Sequence, residues 1–126
     1  MGLPWKVQQR ERVEEAMIRF PVDSGKCAAL ARAVIAVARV NDAEASGVQV
    51  NARKPARYIL PKHPKVNFWH SHTLVRTLSH HVDALTGADG CVEASYLETH
   101  WNYPECLVMT DVDVDEIDPG VQDVDP

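Results

Sequence analysis

The chain has 126 residues and a mass of 14.0 kDa, which fits one hydrophobic core and excludes a two-domain enzyme with its own cofactor fold. A hydrophobic fraction of 45% with 25% charged residues is ordinary for a soluble globular protein and excludes a fibrous or disordered chain. No run nears the roughly 18 apolar residues that span a bilayer, and Met1-Gly2-Leu3-Pro4-Trp5-Lys6 lacks the apolar centre of a signal peptide.

The expectation is therefore a chain made in the cytoplasm, with no membrane partner. Its net charge of -5 is unevenly placed, because Asp111, Asp113, Asp115, Glu116, Asp118, Asp123 and Asp125 all fall in residues 111–126, which hold no Lys or Arg. Without these seven, 13 basic residues face 11 acidic ones, a balance that points to no nucleic-acid partner. Cys27, Cys91 and Cys106 are an odd number without CxxC spacing, which fits a reducing compartment better than a disulfide framework or a zinc ribbon.

Residues 6–19 place Val13, Met17 and Ile18 at helical spacing among charges and predict an amphipathic surface helix within an N-terminal segment 1–19. Phe20-Pro21 ends it, and the turn-rich Pro21-Val22-Asp23-Ser24-Gly25-Lys26 leads to a second helix from Cys27 to Val40. That helix is alanine-rich and apolar almost all round, the pattern of a buried element that others approach closely. Residues 41–55 read as polar and exposed, with a possible short strand at Val48-Gln49-Val50.

The period then changes to short β-branched and aromatic runs at 57–60, 66–69, 73–78 and 81–85, which predict a small antiparallel sheet. Thr86-Gly87-Ala88-Asp89-Gly90 reads as a turn, Cys91 to Thr99 as a short helix, and His100 to Pro104 as the close of the ordered part. The expected organisation is one domain over 1–110 and a solvated acidic tail over 111–126.

Cys27 carries the most chemical information. The start of a helix presents backbone N–H groups and the positive end of the helix dipole, which favour a thiolate and could also hold an oxyanion. The competing reading is a small buried hydrophobe. Gly25 lets the backbone approach a substrate, with Lys26 beside it, and five histidines follow at 63, 70, 72, 80 and 81.

Those histidines admit three roles: general base for Cys27, metal ligand, or exposed polar residue. His70 and His72 share a strand face, a geometry that metal sites use, with His80 or His81 as further ligands. For nucleophilic catalysis an acid must hold the far nitrogen of the base, and Asp83 is placed for this on the strand after His72, though it also suits a turn cap before Thr86-Gly87. His70 is the rival to His72, two residues away on the same face. Trp69, Trp101 and Tyr103 are candidates either for a groove or for the core.

From Phe20 to Trp101 the order of these features resembles the papain-fold toxin and deamidase domains of bacteria, relatives of papain-like and transglutaminase-like enzymes. The residues that carry the resemblance are Cys27 at a helix start, His72-Thr73-Leu74-Val75, Asp83-Ala84-Leu85-Thr86-Gly87, Gly90 and Tyr96-Leu97. The chain departs from that pattern at Leu78-Ser79-His80, where a turn glycine is usual, and at Val82, where an aromatic residue often precedes the acid.

The resemblance implies an α+β, minimal papain-like fold in which a buried helix carrying Cys27 packs on a small antiparallel sheet carrying His72 and Asp83. It implies Cys27 as nucleophile, His72 as general base and then acid, and Asp83 as the group that orients His72. Gly25, Lys26, Trp69 and His70 are the expected substrate-binding and oxyanion residues, with no metal and no cofactor. The implied function is acyl transfer on protein side-chain or peptide amides, as a glutamine deamidase or a narrow-specificity cysteine peptidase of effector type. Its expected partners are a protein substrate and an immunity or delivery protein. A non-catalytic interaction module of the same fold and a His-cluster metal protein are the alternatives.

Overall fold

The computed structural model describes residues 2–63 and 68–116. Three α-helices, α1 (Val7–Arg19), α2 (Cys27–Asn41) and α3 (Tyr96–His100), accompany five strands, β1 (Ser46–Ala52), β2 (Ser71–Thr77), β3 (His80–Val82), β4 (Cys91–Val92) and β5 (Leu107–Val112). The strands form one sheet in the order β4-β3-β2-β1-β5, antiparallel at every pairing, so the chain is an α+β protein.

The period-2 alternation of β2 explains how one sheet serves two cores. Val75 and its cross-strand partner Val82 face α1 and α2, where Val13, Leu30, Val34 and Ile35 are buried. Leu74 and its β1 partner Val48 face the opposite way, into a second cluster with Ile59, Trp69, Tyr96 and Trp101. Helix α2 lies against β2 because Ala28, Ala31 and Ala38 are small and fully buried, which lets the helix approach closely.

The two long helices lie where periodicity placed them, but several strand expectations are corrected. Residues 46–52 are not an exposed stretch: β1 is a central strand with Val48 and Val50 buried, because β2 covers one edge and β5 the other. Of the runs at 57–60 and 66–69, Ile59 and Trp69 form only an isolated antiparallel bridge, and Val66 and Asn67 lie outside the described residues. Residues 91–99 divide into β4, a 3₁₀ turn over Glu93–Ser95 and the beginning of α3.

Order does not close at Pro104. Strand β5 continues through Asp111 and Val112, and Val114 is buried beside α2, whose Arg32 Nε donates to the Val114 carbonyl at 2.9 Å. The expected boundary at 110 is therefore corrected, with residues 111–116 part of the domain. Charge density misled there: Asp111 stays exposed and meets Arg76 at 3.1 Å, while the valines beside it face inward. Asp118, Asp123 and Asp125 lie outside the described residues. Among the described residues no helix is long and apolar enough to cross a membrane.

The β2–β3 turn shows how the departure at Leu78-Ser79 is accommodated. Both residues have positive φ, 48° and 61°, a backbone whose twist matches a two-residue hairpin but that favours glycine or asparagine. The Asp42 carboxylate at the end of α2 accepts from the Leu78 N–H at 3.1 Å and the Thr77 hydroxyl at 3.0 Å, and so holds the turn closed.

Candidate active site

Cys27 is the first residue of α2 and is half-buried. Gly25 has φ 70°, a left-handed conformation that glycine adopts without steric cost, and this reversal turns the chain from a 3₁₀ turn at Val22–Ser24 into the helix. Ser24 Oγ accepts the Lys26 N–H at 3.2 Å, which steadies the entry. The N–H groups of a first helical turn cannot be paired within the helix and point toward its N-terminal side, so the thiol sits at the positive end of a 15-residue helix.

His72 lies one residue into β2 and is 3% exposed. Its ring stacks on Trp69, centroids 5.2 Å apart, and meets Trp101 at 5.5 Å. Nε2 lies 2.8 Å from Asp83 Oδ2, which leaves Nδ1, without a nitrogen or oxygen partner, as the other basic position of the ring. Burial pushes the imidazole pKa down, but hydrogen bonding and charge from Asp83 and Cys27 outweigh it and raise the value from 6.5 to about 10. The two indoles flanking the ring add favourable cation–π contact to the protonated form.

Asp83 follows β3 and is 2% exposed. The Val75↔Val82 register, carried one step further, sets Asp83 opposite Leu74 and diagonal to His72 on the same sheet face. Both its oxygens are engaged. Oδ1 takes the Thr86 N–H at 2.9 Å, and Oδ2 takes both His72 and the hydroxyl of Tyr96. Turn capping and histidine orientation, read from sequence as alternatives, are thus combined in one side chain. Burial alone would raise the carboxyl pKa, but His72, Tyr96 and the Thr86 N–H hold it below 3.8. Tyr96 is fully buried, and burial together with the Asp83 charge keeps its pKa well above 10, so it remains a neutral donor.

A cleft with about 360 Å³ of empty volume opens over these groups. Cys27 and His72 line it together with Gly25, Lys26 and Trp69, and Phe20, Val22, Leu30 and Leu85 make its walls apolar. Its inner part holds little more than one water molecule. The structure thus brings together Cys27, His72 and Asp83, with Gly25, Lys26 and Trp69 around them. It does not bring in His70, which is exposed and lies against Tyr58, the rings tilted by 43° with centroids 5.2 Å apart.

The remaining histidines do not converge. His80 Nδ1 contacts the Leu78 carbonyl at 2.8 Å, while His81 and His100 flank the Tyr96 ring at 4.9 and 5.5 Å, each with its pKa lowered by burial. Among the described residues no group of three His, Cys, Asp or Glu side chains is placed to hold a metal ion, so nothing supports the alternative of a His70–His72 ligand pair. Trp101, a candidate for groove or core, is fully buried behind His72, and Tyr103 is 62% exposed.

Neither family models, nor curated proteins, nor solved structures compared with the chain gave a match.

Tyr96 is the residue beside Asp83 that sequence reasoning gave no role at this site. It stands in the Tyr96-Leu97 pair, but the sequence held no signal that its hydroxyl meets a carboxylate thirteen residues earlier.

Proposed function

We propose that this protein is a cysteine-dependent acyl-transfer enzyme of papain-like arrangement, acting on protein side-chain or peptide amides. The observation that carries the reading is a buried imidazole that is held by Asp83 at 2.8 Å, interacts with Cys27 and lines the same cleft as that thiol. A histidine kept only for packing has no need of a buried carboxylate, and burying such a charge costs free energy unless it is paired.

In this mechanism His72 holds the Cys27 proton, giving a thiolate–imidazolium pair. The thiolate attacks the amide carbonyl, and the positive end of α2 stabilises the tetrahedral oxyanion. His72 then passes its proton to the leaving nitrogen, so ammonia or an amine departs and a thioester remains. Water, deprotonated by His72, attacks the thioester; the acid is released as the Cys27 thiolate leaves, and the proton stays on His72, which restores the thiolate–imidazolium pair. Asp83 and Tyr96 keep the ring oriented throughout. The slender apolar cleft favours a side-chain amide such as that of glutamine, or a short peptide stretch, over a bulky acyl group.

The test is the pH dependence of iodoacetamide labelling at each cysteine, followed by mass spectrometry, in the wild type and in His72→Ala. Cys27 alone should label rapidly at about pH 6, where an ordinary thiol is almost fully protonated, and the substitution should abolish that advantage. Equal, slow labelling of Cys27, Cys91 and Cys106 would refute the proposal.

A further inference from the structure

The near-neutral charge balance of the body conceals a strong asymmetry. From Ala45 to Val82 the chain has no Asp or Glu, while Arg53, Lys54, Arg57, Lys62, Lys65 and Arg76 supply six cations. Two of these are engaged elsewhere, Arg76 by Glu93 and Asp111, and Lys62 by the Glu98 carbonyl at 2.5 Å. Arg53, Lys54 and Arg57 are exposed, and among the described residues none of the three is in an ion pair, although Arg53 Nη2 also donates to the Leu107 carbonyl at a long 3.4 Å.

The fold sets these cations toward the end of the sheet where Ser71 and His72 line the cleft. Asn51 pairs with Ser71, so the chain leaving β1 at Ala52 emerges next to His70, at the end of the sheet where β2 begins and His72 sits. The chain returns there through the Ile59↔Trp69 bridge, which brings Tyr58 alongside Phe68 and His70. Their rings form an exposed cluster, Tyr58 to Phe68 at 4.7 Å and Tyr58 to His70 at 5.2 Å, with Tyr58 43% and Phe68 45% exposed. Trp69, between Phe68 and His70, turns the opposite way and forms a wall of the cleft. Lys26, exposed, stands on the rim.

Clustered exposed aromatics beside arginines are the composition of recognition surfaces rather than of ordinary protein exterior. Three cations without a carboxylate partner among the described residues call for carboxylates, which arginine can hold bidentately, and the rings supply apolar contact for the neighbouring side chains. A long polyphosphate fits less well, because it would run past the patch onto a protein of net charge -5. We infer that Arg53, Lys54 and Arg57, with the Tyr58–Phe68–His70 cluster, form a docking surface for an acidic polypeptide segment that flanks the amide presented to Cys27. The assignment of this segment to the substrate rests on the acyl-transfer reading; the binding of an acidic segment does not.

The experiment measures fluorescence anisotropy with full-length Cys27→Ala protein and a labelled peptide of about twelve residues, glutamate-rich around a single glutamine. Neutral and lysine-rich counterparts and a deoxythymidine oligomer of matched length serve as competing probes. The acidic peptide should bind and the other three should not. Its affinity should fall at least about tenfold in Arg53→Ala/Lys54→Ala/Arg57→Ala and between about 50 and 300 mM salt. Tyr58→Ala/Phe68→Ala should weaken binding without changing the salt dependence, and circular dichroism should show both variants folded. Equal binding of the neutral peptide, indifference to the triple substitution, or tighter binding of the oligonucleotide would each overturn the inference. Iodoacetamide profiles separate its failure from that of the catalytic reading. An inert Cys27 with peptide bound at the patch sinks the enzyme and keeps the docking surface; an activated Cys27 without peptide binding does the reverse.

Discussion

Replacing Asp83 by asparagine removes the charge beneath His72 while keeping nearly the same shape. The amide can still accept from the Thr86 N–H or the Tyr96 hydroxyl, but burial of His72 is then opposed by Cys27 alone, and its pKa should fall well below about 10. The displacement of His72 from 6.5 to about 10 favours the imidazolium by about 4–5 kcal/mol. Removing one partner of a buried ion pair costs about 3–5 kcal/mol, so Asp83→Asn should lower the thermal midpoint by about 10–20 °C. The loss should depend on pH. A raised histidine pKa stabilises the fold fully below its unfolded value of 6.5, and this contribution is lost as pH rises through about 10. The lowered Asp83 pKa stabilises above 3.8 and is lost as pH falls through the folded value. Urea denaturation of the two proteins should therefore differ most at about pH 5.5 and by less than half as much at about pH 9.5. An equal difference at both pH values would show that Asp83 acts through packing or turn capping and not through the charge on His72.

Three further outcomes follow from the same packing. Tyr96→Phe removes a donor from the buried Asp83 carboxylate and should cost about 1–3 kcal/mol in urea denaturation, while iodoacetamide labelling of Cys27 in the same variant should lose part of its low-pH rate; unchanged stability would mean that the hydroxyl is dispensable. Leu78→Gly and Ser79→Gly should each raise stability by about 0.5–1 kcal/mol, since both residues hold positive φ in the β2–β3 turn, and a lower thermal midpoint in both would contradict the strain argument. Gly47→Ala should destabilise by about 2 kcal/mol or more, because the new methyl would stand 2.5 Å from Val114 Cγ1 and 2.7 Å from the Val112 carbonyl, and wild-type stability would show that β5 can move away at no cost.

Two observations make the charged site consistent with a stable fold. Every oxygen of Asp83 has a donor, and the ring it orients lies between two indoles, so the low dielectric around His72 strengthens its contacts without leaving an unpaired acid. The same enclosure restricts the approach to the thiol to one narrow, apolar cleft.

What the sequence determined by itself was local. The apolar stripe of residues 7–19 and the alanine-rich run from Cys27 specify helices through 3.6-residue periodicity, and Pro21 with Gly25 marks the joint that leaves Cys27 at a helix start. The eleven-residue spacing of His72 and Asp83 across a hairpin places them on one sheet face, because strand alternation has period 2. Tertiary structure decided the rest. Val48 and Val50 become central only when residues 107–112 pair with them, a contact between segments about sixty residues apart that no local pattern encodes. The choice of His72 over His70 depends on which side chain Trp69 and Trp101 enclose, and the part of Tyr96 depends on where a five-residue helix docks. The acidic run from Asp111 looks solvated in one dimension, yet Arg76 takes up Asp111 and Gly47 makes room for Val114, so the fold turns the beginning of that run into its edge strand.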